Sequence, residues 1–398
     1  MLMNLKRKSA VPLQVVLSFG LLLAMACNND KTIPLSSDLV DPSQLGRRLQ
    51  AVTTIAIDST AHKITNTFGT TNLWLGKFDD YESQMLIRFA RLDLPDTVSV
   101  VAATLKLHAR LVQGQGTSFN AAIHEVTNSW DSSKVTWQDD IFQKKLFNSK
   151  AMDVQPVKAE KTDSLVFKLD PAVVSTWRTK EGREKGVLIQ APNAAFTKAF
   201  HSNFSSPKQP VLELISLKRG NSKNDTTRHS AIASVFVFNR LTALPKGPLY
   251  VGISEQHHSV FSFDVTSIPS NATISRATMT LELDTLNSAF YSSRLDLQLV
   301  QPTTNFDLNP LLFDPFRFSP DSLRTADVDS INASTQKISF TVTSSVQQWV
   351  LDSKNNFGLI LFPLALAGRD LTRAAFYSKE ADPARAPKLQ IEYTLPPQ

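Results

Sequence analysis

The stretch "MLIRFARLDLPDTVSVVAATLKLHA" (residues 85–109) returns later in the chain as "SVFSFDVTSIPSNATISRATMTLEL" (259–283). In this register Phe89 meets Phe263, Pro95 meets Pro269, and Ala103 and Thr104 meet Ala277 and Thr278. Working outward, "LWLG" (73–76) answers "LYVG" (249–252), "LVFKLDPAVVSTW" (165–177) answers "KISFTVTSSVQQW" (337–349), and "GVLIQ" (186–190) answers "GLILF" (358–362). The offset stays at about 172 to 176 residues, far longer than a solenoid repeat, so the chain reads as two homologous domains.

Inside each copy the period is two. In "ATLKLHARL" (103–111), Leu105, Leu107, Ala109 and Leu111 alternate with Thr104, Lys106, His108 and Arg110. "ATMTLELD" (277–284) repeats the pattern through Met279, Leu281 and Leu283. Such alternation marks half-buried antiparallel strands, with the apolar face inward and the polar face in water. Short strands punctuated by Pro, Asn, Asp and Ser predict an all-β fold of two tandem, jelly-roll-like antiparallel sandwiches. Each should carry one short helix, ending near Trp177 and Trp349 respectively. Asp170 is placed to cap the first ahead of Pro171, and Thr343 or Ser344 to cap the second. Both tryptophans are expected in the core.

The N-terminus reads as a targeting segment. Lys6, Arg7 and Lys8 precede "VVLSFGLLLAMA" (15–26), which is too short to span a bilayer as a helix, so residues 1–26 are expected to be a signal peptide. Cys27, the sole cysteine, follows directly at the position where a bacterial lipoprotein is cut and lipidated. Ala24 stands where a lipobox prefers leucine, and Ala24-Met25-Ala26 also fits ordinary signal-peptidase cleavage, which would leave a free thiol. One cysteine allows no intramolecular disulfide, so the cores alone must hold the domains. The expected organisation is a tether over 27–51, a first sandwich over 52–217, a polar linker "KRGNSKNDTTRH" at 218–229, and a second sandwich over 230–398. Localisation follows as exported and lipid-anchored, at the outer membrane or cell surface, with no other membrane contact.

The three basic residues at positions 6–8 carry half of the formal +6 charge, and no basic run is interleaved with aromatics, so nucleic acid is not an expected partner. GxSxG, HExxH, P-loop and dinucleotide-glycine patterns are all missing, and no catalytic residue or cofactor is expected.

In order along the chain, "RFARLDLP", "ATLKLHA", "SWDSSKVTW" (129–137), the helix ending in Trp177, "GVLI" and "FHSN…QPVLELI" resemble the bacterial DNRLRE domain. Copy two resembles it through "FSFDVTSIPSNATISRATMTLEL", "GLILF" and "FYSKEADPARAPKLQIEY". The resemblance covers roughly residues 52–217 and 230–395. It implies a jelly-roll related to carbohydrate-binding modules and, for some members, binding of surface or matrix polysaccharide without catalysis.

"NSWDSSKVTW" (128–137) pairs with "NFDLNPLLF" (305–313), so Trp130 becomes Phe306 and Trp137 becomes Phe313. Aromatic volume is kept while the indole N–H is lost, which favours packing over a sugar platform. Asp131 reads as a turn residue. The polar strand face is more informative. Copy one carries Lys106, His108 and Arg110, with Arg88 expected nearby, where copy two has Thr280, Glu282, Asp284 and Ser262. This basic face is the candidate for an anionic polysaccharide, through charge-assisted bonds to uronate carboxylates, against the plainer reading of a solvated strand. Asp79, Asp80 and Glu82 gather carboxylate oxygens at one turn, a candidate structural calcium site lacking the EF-hand pattern, with a solvated turn as the alternative. His257-His258 should point to opposite faces of a strand. Expected function is therefore non-catalytic polysaccharide binding. The alternatives are a structural spacer or assembly module and, third, a polysaccharide-active enzyme.

Overall fold

The structure, a computed structural model, describes residues 46–64, 66–161, 163–253, 255–303, 323–364 and 371–397. The signal peptide, Cys27, Phe306 and Phe313 lie outside the described residues. The first half contains β1 (Arg47–Ile64), β2 (Asn72–Phe78), β3 (Tyr81–Phe89), β4 (Val98–Gly114), β5 (Ser118–Glu125), β6 (Asp153–Lys158), β7 (Ser164–Leu169), β8 (Val187–Gln190), β9 (Phe196–His201) and β10 (Val211–Lys218). The second contains β11 (Asn224–Arg240), β12 (Leu249–Gly252), β13 (Glu255–Phe263), β14 (Thr273–Glu282), β15 (Leu295–Pro302), β16 (Leu323–Ile331), β17 (Lys337–Thr341), β18 (Leu359–Pro363), β19 (Arg373–Phe376) and β20 (Lys388–Leu395). The α-helices among the described residues are few and short: α1 (Asp140–Gln143), α2 (Pro171–Thr176), α3 (Lys180–Arg183) and α4 (Thr343–Leu351). The fold is all-β, with every strand pairing antiparallel, and no helix among the described residues is long and apolar enough to cross a membrane.

The duplication extends to the hydrogen-bond ladder. β10 lies between β4 and β11 as β20 lies between β14 and β1, and β7 adds to β4 as β17 adds to β14. β3, β8, β5 and β6 pair in the same succession as β13, β18, β15 and β16. Small backbone demands recur with it. Gly186 and Gly358 both adopt positive φ, and a Cβ on either would strike the carbonyl oxygen of Ile87 or Phe261, which explains a glycine ahead of "VLI" and "LIL". Asp153 and Asp327 each accept the backbone N–H of the neighbouring edge strand, at Lys168 (2.7 Å) and Thr341 (2.6 Å).

The structure departs from the expected boundaries in which half owns the first strand. β1 pairs with β20 through Arg47–Thr54 and with β13 through Ile55–Ile64, so residues 52–64 complete the second sandwich. Reciprocally, β11 pairs with β10 and with β3, completing the first. The two homologous strands are exchanged. Each passes between the layers of its adopted sandwich at a bulge, Ile55/Ile57 in β1 and Ala231/Ala233 in β11.

The expected linker is correspondingly a hairpin. Lys218 ends β10, Gly220 turns with φ of 86°, and Asn224 already begins β11. Residues 224–229 read as linker because they lack an apolar face. They can be strand nonetheless, because this part of β11 is an edge held by backbone bonds with mostly exposed side chains. The end of the expected tether, residues 47–51, is likewise strand.

Each sandwich has its own apolar core, one centred on Leu105, Phe167 and Phe200, the other on Met279, Phe340 and Leu361. Trp177 and Trp349 are buried in them as expected, Trp177 stacking on Phe89 at 5.8 Å. The Asp170 carboxylate caps α2 by accepting the Ala172 N–H at 2.8 Å. The α4 cap differs: its N-cap is Val342, with no side-chain bond, because Thr343 Oγ1 instead accepts the Ala277 N–H at 2.9 Å and ties the helix to β14. Tyr291 of the second half enters the first core and donates its hydroxyl to the Phe78 carbonyl at 2.5 Å.

The exchange makes a sharp prediction about fragments. Residues 66–240 contain every strand of the first sandwich and should fold, giving dispersed amide resonances and a cooperative melt. Residues 52–217, the boundary drawn from sequence, leave β3 and β10 without β11, and should aggregate.

Candidate functional site

The basic face of β4 forms part of a cleft. Alternation places His108 and Arg110 on one side of the strand, just where β4 shifts register at Ala109/Leu111 to run on along β9. β9 contributes His201, the turn before β7 contributes Lys161 and Asp163, and the segment before β10 contributes Lys208. These side chains line a cleft of about 390 Å³. Asp163 is paired with the buried ammonium of Lys198, which also donates to the Lys158 carbonyl at 2.8 Å, so its charge is largely committed. Arg110 Nη1 donates to the Thr71 carbonyl at 3.3 Å, and the Ser164 hydroxyl lies 3.4 Å from His108 Nδ1.

These groups also act on one another electrostatically. Burial depresses the His108 pKa, and the Lys106 and Lys208 charges depress it further. His201 is likewise lowered by burial, then by Arg110, Lys208 and His108. Lys106 is exposed on the same strand face.

Arg88 does not belong to this face. β3 and β4 lie in opposite layers, and the Arg88 guanidinium sits over the Trp130 ring at 5.1 Å while Nη1 donates to the Trp130 carbonyl at 2.9 Å. Trp130 itself is buried, its indole N–H donating to the Lys185 carbonyl at 2.6 Å. Trp137 packs beside it and stacks on Phe142 at 5.4 Å. The loop thus clamps a second apolar layer onto the outer face of β3, β8 and β11, against Leu86, Leu188 and Val235. Asp131 is the turn residue expected, accepting the Ser133 N–H and hydroxyl at 2.9 and 2.7 Å.

The acidic turn is also not a free set of calcium ligands. Arg373 Nη2 lies 3.8 Å from Asp79 and 3.7 Å from Asp80, and the Thr242 hydroxyl donates to Asp80 at 2.6 Å. Among the described residues no group of three His, Cys, Asp or Glu side chains could hold a metal. His257 and His258 face opposite ways, toward Tyr250 and Phe362 respectively, both buried.

A second polar assembly lies where the sandwiches meet. Tyr81 on β3 lies opposite Arg240 on β11. Its hydroxyl accepts from Arg240 Nη2 (2.9 Å) and Arg373 Nη1 (3.0 Å) and donates to Glu255 Oε2 (3.0 Å). Glu255 is also bound by Arg240 and lies 2.9 Å from His257 Nε2. Burial raises the Tyr81 pKa despite both guanidinium groups, so the phenol stays protonated and can donate to the carboxylate. The sequence does carry a signal, in that Glu255 occupies the repeat position of Tyr81, but nothing local says that the two would meet.

No family model and no curated protein matches the chain. Among solved structures it is similar to the 2.6 Å structure of infectious bursal virus derived T=1 particles, at 8% identity over 89% of this chain and 75% of that one. The TM-score of 0.13 is too low to carry fold or function from one to the other.

Tyr81→Phe should cost about 1–3 kcal/mol in denaturant unfolding, because it removes one hydroxyl from three buried charged partners without opening a cavity. Tyr393→Phe, in a half-buried hydroxyl position, provides the comparison and should cost less.

Proposed function

We propose that this is an exported, non-catalytic polysaccharide-binding protein, held at the cell envelope through Cys27, and that its first sandwich binds an anionic glycan in the cleft beside β4. The supporting observation is the cleft's charge. His108, Arg110, Lys161, His201 and Lys208 converge on it, and its one lining carboxylate among the described residues, Asp163, is engaged by Lys198. A uronate can pair with the fork of Arg110 and with the point charges of the lysines. The corresponding face of the second sandwich offers no such surplus. Glu282 there is held by Lys337 and Arg385 at 2.8 and 2.9 Å, and Asp284 accepts the backbone N–H groups of its own turn.

A spacer or assembly module is the second reading. It draws on the exchanged strands, which join both sandwiches into one body suited to bearing load.

Binding of the full chain to polygalacturonate distinguishes the two. Arg110→Ala with Lys208→Ala should weaken it by at least about tenfold, and added salt should weaken the parent as well. Because both cleft histidines are depressed below 6.5, they are neutral at pH 7 and gain charge only as the pH falls. Uronates, with pKa values of roughly 3–4, remain ionised over that range. Affinity should therefore rise as the pH is lowered from 7. Binding unchanged in the double variant would refute the cleft reading, and failure of a folded parent to bind any glycan on an array would favour the spacer.

A further inference from the structure

A larger cleft, of about 770 Å³, lies where the two sandwiches cross. Its floor is the upper side of the buried Tyr81 assembly, presenting Arg240, Glu255, His257 and Tyr250. Asp58 from the exchanged strand β1 and Glu380 from the turn before β20 stand on one side, and Lys246 on the other connection. The segment joining β11 to β12 supplies an apolar wall through Leu241, Leu244, Pro245 and Pro248, with Leu241 46% exposed.

The chemistry of this lining differs from that of the basic cleft. The lining has no basic surplus: three carboxylates, Asp58, Glu255 and Glu380, stand against Arg240 and Lys246, and Glu255 is matched by Arg240. An anion would meet Asp58, which also accepts the Lys379 backbone N–H at 2.8 Å, and Glu380, and a cation would meet the Arg240 guanidinium. A hydroxyl suits both, since it donates to a carboxylate and accepts from a guanidinium or ammonium group. Arg240 Nη1 is buried without an acceptor among the described residues, and the exposed Glu380 is held by its backbone N–H, which donates to Ser378 Oγ at 3.1 Å. The apolar wall suits the C–H face of a ring whose edges carry hydroxyls. The volume is in the range of pockets that enclose small ligands, which favour domain junctions.

We infer that the cleft between the sandwiches binds a neutral, polyhydroxylated ligand of one or two sugar rings, with hydroxyls on Asp58, Arg240 and Glu380 and its apolar face on Leu241 and Pro245. The site exists only because the strands are exchanged: Asp58 and Arg240 arrive on β1 and β11, one from each half. It is separate from the basic cleft and takes the opposite class of glycan.

Titration of the full chain with maltose, cellobiose and xylobiose, with digalacturonate and glucosamine as charged controls, tests this by calorimetry and saturation-transfer NMR. At least one neutral disaccharide should bind saturably. Ala243→Trp, an exposed substitution that fills the cleft, should weaken that binding by about tenfold or more while leaving the melting temperature unchanged. Glu380→Gln should weaken it less, since the amide still accepts. The Arg110→Ala, Lys208→Ala variant should bind the disaccharide normally, so failure of the two sites is distinguishable. No saturation by any neutral disaccharide up to about 10 mM, unchanged binding by Ala243→Trp, or a preference for either charged control overturns the proposal.

Discussion

The unsatisfied edges of β3 and β13 are the constraint on which the molecule rests. Each strand is buried within a sandwich and must find a partner for its outer row of N–H and C=O groups. Each finds it in the first strand of the other half: β11 covers β3 and β1 covers β13. The consequences spread outward. Neither sandwich is complete without a segment that arrives across the junction, and the polar connection between halves becomes a hairpin. The bulges at Ile55/Ile57 and Ala231/Ala233 then let each long strand serve both layers of its adopted sandwich.

The crossing point accounts for the buried charges. Tyr81 and Arg240 face each other on neighbouring strands, while Glu255 and Arg373 arrive from the second half. A cluster of this kind contributes little net stability compared with apolar packing, but removing one member leaves the others unpaired. Its members come from both halves, so the full set of bonds forms only when the two are joined in this way. The acidic turn at Asp79 and Asp80 contributes by facing Arg373.

Duplication has kept backbone requirements and released surface chemistry. Gly186 and Gly358 keep a close approach, Asp153 and Asp327 keep the same edge-strand bond, and Trp177 and Trp349 keep the same buried volume. Lys106, His108 and Arg110, in contrast, face Thr280, Glu282 and Asp284 across the repeat. None of these residues belongs to the apolar cores, so one copy could carry positive charge while the other paired its acids internally.

From residues alone one could determine what depends on near neighbours and on self-comparison. Period-two alternation marked the strands, the long repeat marked the duplication, Asp170 ahead of Pro171 marked a helix start, and substitution of Trp130 by Phe306 marked a packing role for the loop. Tertiary structure alone decided which half each first strand completes, since alternation shows that a strand has a buried face but not which edge it joins. It also removed Arg88 from the basic face by placing β3 and β4 in opposite layers, and brought His201 from β9 and Lys161 and Lys208 from two separate connections to His108 and Arg110. The junction cleft had no local signature, because its walls come from segments nearly two hundred residues apart and exist as a site only after the strands have crossed.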